Sequence, residues 1–380
     1  MTQPPRPARR LGRLVTCLLA AAGLAAAWAQ PIADATKTYY VGTLTSEAGA
    51  AEPVLLDLSL YQDGFAFGRL QLAGRHEVLH GGGTLRDGTL LRLTLAPAPP
   101  GDDPWWAAEL AHLAHRGEAE REGPGAVAAV LTAERDHDWA DEGRTLVGTL
   151  RLASGEPLRL AATRLASAAR WTFELGRVTS TAVLPRFHGQ AAVNAWLEEL
   201  ALPPQQDFAA EGVGLLEEGS LGWAWWREER FELAGAAGPY LSLLATTDVY
   251  TGGAHPNAWH ESHLVALEDG RVVTLGLEDL FAGEGWLDAV SELVLADLGA
   301  QEAMWVVQGD VTSLTTDDLA AFTLDAAGLT FHFSPYAMGP YVQGSFRVTL
   351  PFEALAGLAA DDGPVAAFAR GAPVAAPGSG

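Results

Sequence analysis

Thr247-Asp248-Val249-Tyr250-Thr251-Gly252-Gly253-Ala254-His255-Pro256-Asn257 joins two long runs, 239–250 and 257–267, that both read as strands. Two successive glycines let the backbone reverse through positive φ without a Cβ clash. Pro256 then fixes its own φ and biases His255 toward extended backbone. An antiparallel hairpin is the expected result. A turn so constrained, carrying an imidazole and a carboxamide, either braces itself through His255 and Asn257 or touches a partner. The candidate binding set is Tyr250, Gly252, Gly253, His255 and Asn257.

Outward from this hairpin the pattern alternates between strand and helix. Upstream, 171–184 reads as one strand, and 190–200 as a helix with Val193, Trp196, Leu197 and Leu200 on one face, ended by Pro203-Pro204. The run 221–233 carries Trp223, Trp225 and Trp226, which fill a core or stack on a sugar ring. Downstream, Asp269-Gly270 turns the chain into 271–275, and 277–281 reads as a short helical turn. An amphipathic helix follows over 286–298 with Leu287, Val290, Leu293 and Val294 inward. A hairpin over 322–333, a last strand over 344–350 and a helix opened by Pro351 complete the pattern.

The first part of the chain is strand-rich. Asp63-Gly64, Asp87-Gly88 and Ser154-Gly155 each separate short alternating runs, a hairpin signal. Between them, 104–116 reads as a short helix capped by Asp103, and 117–125 as a charged loop. His76-Glu77-Val78-Leu79-His80 matches the zinc-protease pattern in letters. That chemistry needs His76 and His80 on one helical face as ligands, with Glu77 as general base. Gly74 before it and Gly81-Gly82-Gly83 after it leave under two helical turns, so a strand hairpin is expected and no metal or cofactor is assigned. A zinc-dependent hydrolase is the alternative function. His260-Glu261-Ser262-His263 makes a poor ligand set, because strand alternation sends its two histidines to opposite faces.

The N-terminus is an export signal by pattern. Arg6, Arg9, Arg10 and Arg13 precede an apolar run over 14–27, and Ala27-Trp28-Ala29 offers a cleavage site. Cleavage after Ala29 gives an exported chain, extracellular or in the cell envelope, with no membrane span and no cysteine, since Cys17 leaves with the signal. Removing those four arginines from 24 basic residues leaves 20 against 47 acidic ones, a balance near −27. That sign disfavours nucleic acid and anionic membranes and favours a basic partner.

Tyr250-Thr251-Gly252-Gly253-Ala254-His255-Pro256-Asn257 resembles a motif of bacterial extracytoplasmic domains of unknown function. Such domains close lysozyme-sensing anti-sigma factors of the RsiV type and peptidoglycan deacetylases of the PdaC type. The tail matches too, in Leu329-Thr330-Phe331-His332-Phe333-Ser334-Pro335-Tyr336, Gly339-Pro340-Tyr341, Gly344-Ser345-Phe346 and Val348-Thr349-Leu350-Pro351. Leu184-Pro185-Arg186-Phe187 and Val193-Asn194-Ala195-Trp196-Leu197 resemble the companion domain that precedes it. The resemblance implies a non-catalytic binding module for lysozyme or a peptidoglycan component. Only 13 residues precede the apolar run, so no segment for holding a sigma factor is expected.

The expected architecture is α+β: a signal peptide over 1–29, a β-rich domain over 36–166, an α+β domain with an antiparallel sheet and packed helices over 168–360, and a disordered tail over 361–380.

Overall fold

The computed structural model describes residues 35–62, 64–97, 129–136, 144–153, 155 and 157–374. The export signal and the helix expected at 104–116 lie outside them. Eight strands meander through the first part: β1 (Ala35–Thr45), β2 (Ala51–Tyr61), β3 (Phe65–Leu72), β4 (Glu77–Arg86), β5 (Leu90–Pro97), β6 (Ala129–Arg135), β7 (Thr145–Leu152) and β8 (Pro157–Leu175). Each pairs antiparallel with the next, and β8 returns to pair with β1, so the sheet closes into a barrel. The alternation that predicted hairpins also decides what fills it. Leu56, Leu58, Leu70, Leu79, Leu91, Leu93, Leu131, Leu146 and Leu150 point inward and are buried. An eight-stranded barrel is just wide enough for its own side chains to fill it. Closure also demands tight coiling at β4, where a Cβ on Gly81 or Gly83 would overlap the carbonyl oxygens of Thr94 and Arg92.

The barrel does not end the sheet. β8 is 19 residues long; its first half pairs with β7 and β1, and its second half pairs with β9 (Val178–Phe187). The register shift between Tyr39 and Tyr40 marks where β8 leaves the barrel wall. The single strand expected over 171–184 is therefore two, with Gly176 at φ 64 in the turn. After β9 comes α1 (Ala191–Glu217), then β10 (Trp225–Ala237) parallel to β9, and β11 (Tyr240–Tyr250), β12 (Asn257–Glu268) and β13 (Arg271–Leu275) complete a thirteen-stranded sheet.

Helix α1 runs straight through Pro203 and Pro204, where the sequence pattern ends it. Two prolines remove two helical N–H donors, normally enough to break a helix. Here the buried stripe Val193, Leu197, Ala201, Gln205, Ala209 and Gly212 continues across them at spacings of four and, last, three residues. Gln205 is fully buried, donating to Glu229 Oε2 at 2.6 Å and accepting from Ser180 Oγ at 2.6 Å. Burial of the stripe and this internal polar chain outweigh the lost bonds.

A second sheet of β14 (Phe322–Asp325), β15 (Gly328–Phe333) and β16 (Phe346–Leu350) packs with α2 (Trp286–Ala300) around a core that includes Val290, Val294, Phe331 and Val348. Leu293, expected inward, is 37% exposed. A short α3 (Met304–Val307) follows α2. Pro351 opens only a 3₁₀ turn, Phe352–Leu355. The tail expected to be disordered from 361 instead forms α4 (Pro364–Ala369), whose Val365 and Phe368 join the same core. The α+β expectation is wrong as a class. The protein is mostly β, because barrel closure and the extension of β8 join β1 to β13 in one continuous sheet.

Barrel and second sheet are tied together by polar groups. β10 carries an irregularity between Leu233 and Gly235, which frees the Ala234 carbonyl from its ladder. That oxygen accepts from Arg69 Nη1 at 2.8 Å and Gln71 Nε2 at 2.6 Å, both on the outer face of β3. Arg69 Nη2 also reaches Asp325 Oδ2 at 2.5 Å, and Asp57 lies 3.9 Å from Nη1. Lys37 pairs with Glu232 at 2.5 Å in the same junction.

Candidate functional site

The 250–257 turn sits at the end of the β11–β12 hairpin, as its sequence implies. Gly252 and Gly253 adopt φ 103 and 107, which side chains rarely tolerate. Tyr250 donates its hydroxyl to the Gly253 carbonyl at 3.1 Å, pinning the turn to its own strand. His255 Nδ1 donates to the Pro256 carbonyl at 2.8 Å, so the histidine does brace the turn. Asn257 is exposed and pairs with Val249 in the ladder.

The turn also gathers aromatic rings from outside its own stretch. Trp226 stacks on Tyr250, its register partner, with centroids 6.4 Å apart. Trp223 lies against Gly252, where a Cβ would stand 2.9 Å from its ring. On the other side, His255 stacks on Tyr341 at 3.9 Å, and Tyr341 packs against Tyr336 at 5.4 Å while donating to the Pro256 carbonyl at 3.0 Å. Trp223 is 65% exposed and Tyr336 51%. Aromatic rings thus flank the turn on both sides, a ledge whose exposed members are Trp223 and Tyr336. The expectation that the tryptophans belong to a core therefore fails: Trp225 is half-buried against Phe208, and Trp223 is in solvent. Tyr336 and Tyr341 were missed as partners, although Gly339-Pro340-Tyr341 stands among the residues that carry the resemblance. Nothing in sequence spacing shows that the chain folds back over some 85 positions onto His255.

Gly252→Val should destabilise the fold by about 1–3 kcal/mol, the usual cost of backbone strain, because the new side chain also meets Trp223. Gly253→Val should cost less, since nothing lies within 4 Å of its Cβ position. Chemical denaturation of both variants checks the order.

His76-Glu77-Val78-Leu79-His80 does not form the helical zinc arrangement. Glu77 begins β4, and His76 lies just before it in left-handed backbone at φ 53. His76 Nε2 donates to the Ala369 carbonyl at 2.9 Å, and its ring meets Phe352 edge-on. His80 is held elsewhere, with Arg69 and Arg347 near its ring. A zincin needs both imidazoles on one helical face, so this alternative is corrected by the strand. Among the described residues no three His, Cys, Asp or Glu side chains gather as a metal-ligand group. The alternation expected for 260–263 holds. His260 faces Thr246 and Ser345, while His263 packs on Phe231 and Trp196.

The model of the family described as "Protein of unknown function (DUF3298)" matches residues 278–353 of this chain, a range that holds α2 and β14 to β16. The matched range holds Tyr336 and Tyr341 but not the 250–257 turn they pack on. Two solved structures of the DUF3298 family are similar. One, from Bacteroides fragilis, is 16% identical with a TM-score of 0.37, over 53% of this chain and 95% of its own. The other, from Pseudomonas aeruginosa, is 15% identical with a TM-score of 0.38, over 51% and 93%. No curated protein matches the chain.

A cleft of about 620 Å³ separates the barrel from the part that the DUF3298 model matches. Arg69, Glu77 and His80 line it from the barrel, and Asp297, Asp325 and Arg347 from the DUF3298 side. Burial drives the His80 pKa down to about 3, helped by Arg69 and Arg347. His332, beside this cleft on β15, is likewise pushed to about 3 by burial, then by His260 and the same two arginines. Both imidazoles are neutral at ordinary pH. Across the cleft Arg69 pairs with Asp325.

Proposed function

We propose that this chain is an exported, non-catalytic binding module of the bacterial cell envelope, and that its recognition surface is the aromatic ledge at the 250–257 turn. The observation carrying the reading is the convergence of Trp223, Trp226, Tyr250, His255, Tyr336 and Tyr341 on a turn that two glycines at positive φ shape. Exposed aromatic rings lose little entropy on binding and offer flat faces to a sugar ring. Tyr250, Gly252, Gly253, His255 and Asn257 set the shape of that surface. Peptidoglycan saccharide is the ligand class this geometry suits. In this reading the barrel over 36–166 is the scaffold, the 168–360 part carries recognition, and the 1–29 segment directs export with cleavage after Ala29.

Charge favours a second reading. A balance near −27 after signal removal speeds encounter with a basic protein such as lysozyme. The two readings separate in one experiment. Mature chain is incubated with purified peptidoglycan sacculi and, apart, with immobilised lysozyme. Retention on sacculi that added salt leaves intact supports the saccharide reading. Retention on lysozyme alone, lost with salt, supports the second. Retention on neither removes both.

A further inference from the structure

Among the described residues, β13 is the only strand of the thirteen-stranded sheet with a single partner. It pairs with β12 from Glu268↔Arg271 to Leu264↔Leu275, with no shift of register. The stretch 157–374, which holds β13 and its neighbours in sequence, is described without a gap. Which backbone groups point outward follows from the ladder. The hairpin turns through Asp269 and Gly270, both at positive φ, so Glu268 and Arg271 form a narrow, doubly bonded pair. Leu267 donates instead to the Pro239 carbonyl, on the β11 side, at 2.9 Å. Alternation then turns Arg271, Val273 and Leu275 toward β12. The N–H and C=O groups of Val272 and Thr274 face outward.

Other edges of the molecule are closed by side chains. β14 turns the N–H groups of Phe322 and Leu324 out of its ladder, and they donate to Ser262 Oγ at 2.8 Å and Ser242 Oγ at 2.9 Å. On β16 the Arg347 carbonyl accepts from Gln301 at 2.9 Å. Among the described residues nothing comparable reaches the backbone of Val272 or Thr274. Arg271-Val272-Val273-Thr274-Leu275 also carries no proline, lysine or bulge, the usual devices that blunt an edge. Val272 packs on the core under α1, while Val273, on the opposite face, is 38% exposed.

An open edge takes another strand, and the register of this one suits a second copy of itself. About a twofold axis at Val273, Val272 of one copy meets Thr274 of the other, and the reverse. Each is a narrow pair that exchanges both backbone bonds, so every outward group is used. Val273 falls opposite itself in the pair between them, where side chains come closest, with Cα atoms about 4.5 Å apart. The exposed aliphatic side chain thus stands at the axis. Sliding one strand by two residues spoils the match. Thr274 then faces the Gly270 turn, or Val272 faces Gly276, whose N–H already donates to Asp279 at 2.8 Å.

We propose that β13 is the interface of an isologous homodimer, two copies joined edge to edge into one continuous sheet. The strand pairs with the far end of β12 from the 250–257 turn, so this inference and the saccharide reading can fail separately.

The test is sedimentation equilibrium of the chain beginning at Gln30, at about 0.15 M salt, where repulsion between two acidic copies is screened. A reversible monomer–dimer equilibrium is expected. Val273→Lys sets two cations at the axis. Thr274→Pro removes an outward donor but no bond to β12. Each should weaken association roughly tenfold or more, the cost of a lost backbone bond from each copy or of its equivalent in charge. Both positions are exposed, and thermal unfolding checks that the fold survives. Cysteine reads the register, since a chain from Gln30 has none of its own. Val273→Cys should give a covalent dimer under oxidised glutathione, and Arg271→Cys, set opposite Leu275, should not. A chain monomeric at every concentration, or a dimer indifferent to both Val273→Lys and Thr274→Pro, would overturn the proposal. So would cross-linking through position 271 as readily as through 273.

Discussion

Arg69→Met should lose about 3–5 kcal/mol of stability, the cost of breaking a buried ion pair by removing one partner. Arg69 is 18% exposed and sits between Asp325, 13% exposed, and Asp57, 8% exposed. Its loss leaves both carboxylates without their guanidinium and the bulged Ala234 carbonyl with one donor fewer. The methionine keeps the volume, so the loss reports charge rather than a cavity. The double change Arg69→Met/Asp325→Leu should recover a large part of the stability, because replacing a buried pair with apolar groups is often neutral. Urea denaturation of the two variants measures it. A single variant within about 0.5 kcal/mol of the native chain would mean that the junction does not depend on this ion pair.

Acid should weaken the fold well before ordinary carboxylates titrate. Burial lowers His80 and His332 from 6.5 to about 3 in the folded state. A group whose folded pKa is depressed contributes stability that is complete above its unfolded value and drains away as pH falls below it. For these two histidines the loss begins near 6.5 and runs toward 3. Together they should cost roughly 2–4 kcal/mol at about pH 5, the lower figure allowing for partial solvent access. His263 and His188, also lowered by burial, act in the same direction. Asp57 and Glu229 act against it, because burial raises their pKa and protonation relieves them. The sign is isolated by His80→Gln/His332→Gln, whose unfolding temperature should depend less steeply on pH between about 6.5 and 5. An unchanged slope would show that these imidazoles are solvated in the folded chain.

Much of the local structure was legible. The Asp-Gly pairs at 87–88 and 269–270 each turn a hairpin with both residues at positive φ, and Gly64 at φ 81 lies in the turn between β2 and β3. Class was not legible, because closure depends on β1 meeting β8, which lie over a hundred residues apart and carry no local signal for each other. The same limit explains α1. Local chemistry stops it at Pro203, whereas tertiary burial of Gln205 and Ala209 carries it on to Glu217. At the candidate site, the turn was readable from its glycines, and its brace from His255. The ledge was not, since Tyr336 and Tyr341 reach it through the packing of a second sheet. An aromatic run reads as core, but Trp223 precedes β10 and lies in solvent against Gly252.

The central claim is that the ledge binds a saccharide of the wall, and tryptophan fluorescence tests it most directly. Trp223 stands in solvent and Trp226 is half-buried beside the turn, so a sugar ring stacking on either changes its solvent contact. Titrating the mature chain with soluble peptidoglycan fragments should give a saturable change in emission. Trp226→Ala/Tyr250→Ala should abolish it while leaving the unfolding temperature within a few degrees of native, as expected for roughly 1 kcal/mol. A saturable change of the same size in that variant, or none in the native chain at any fragment concentration, would contradict the account.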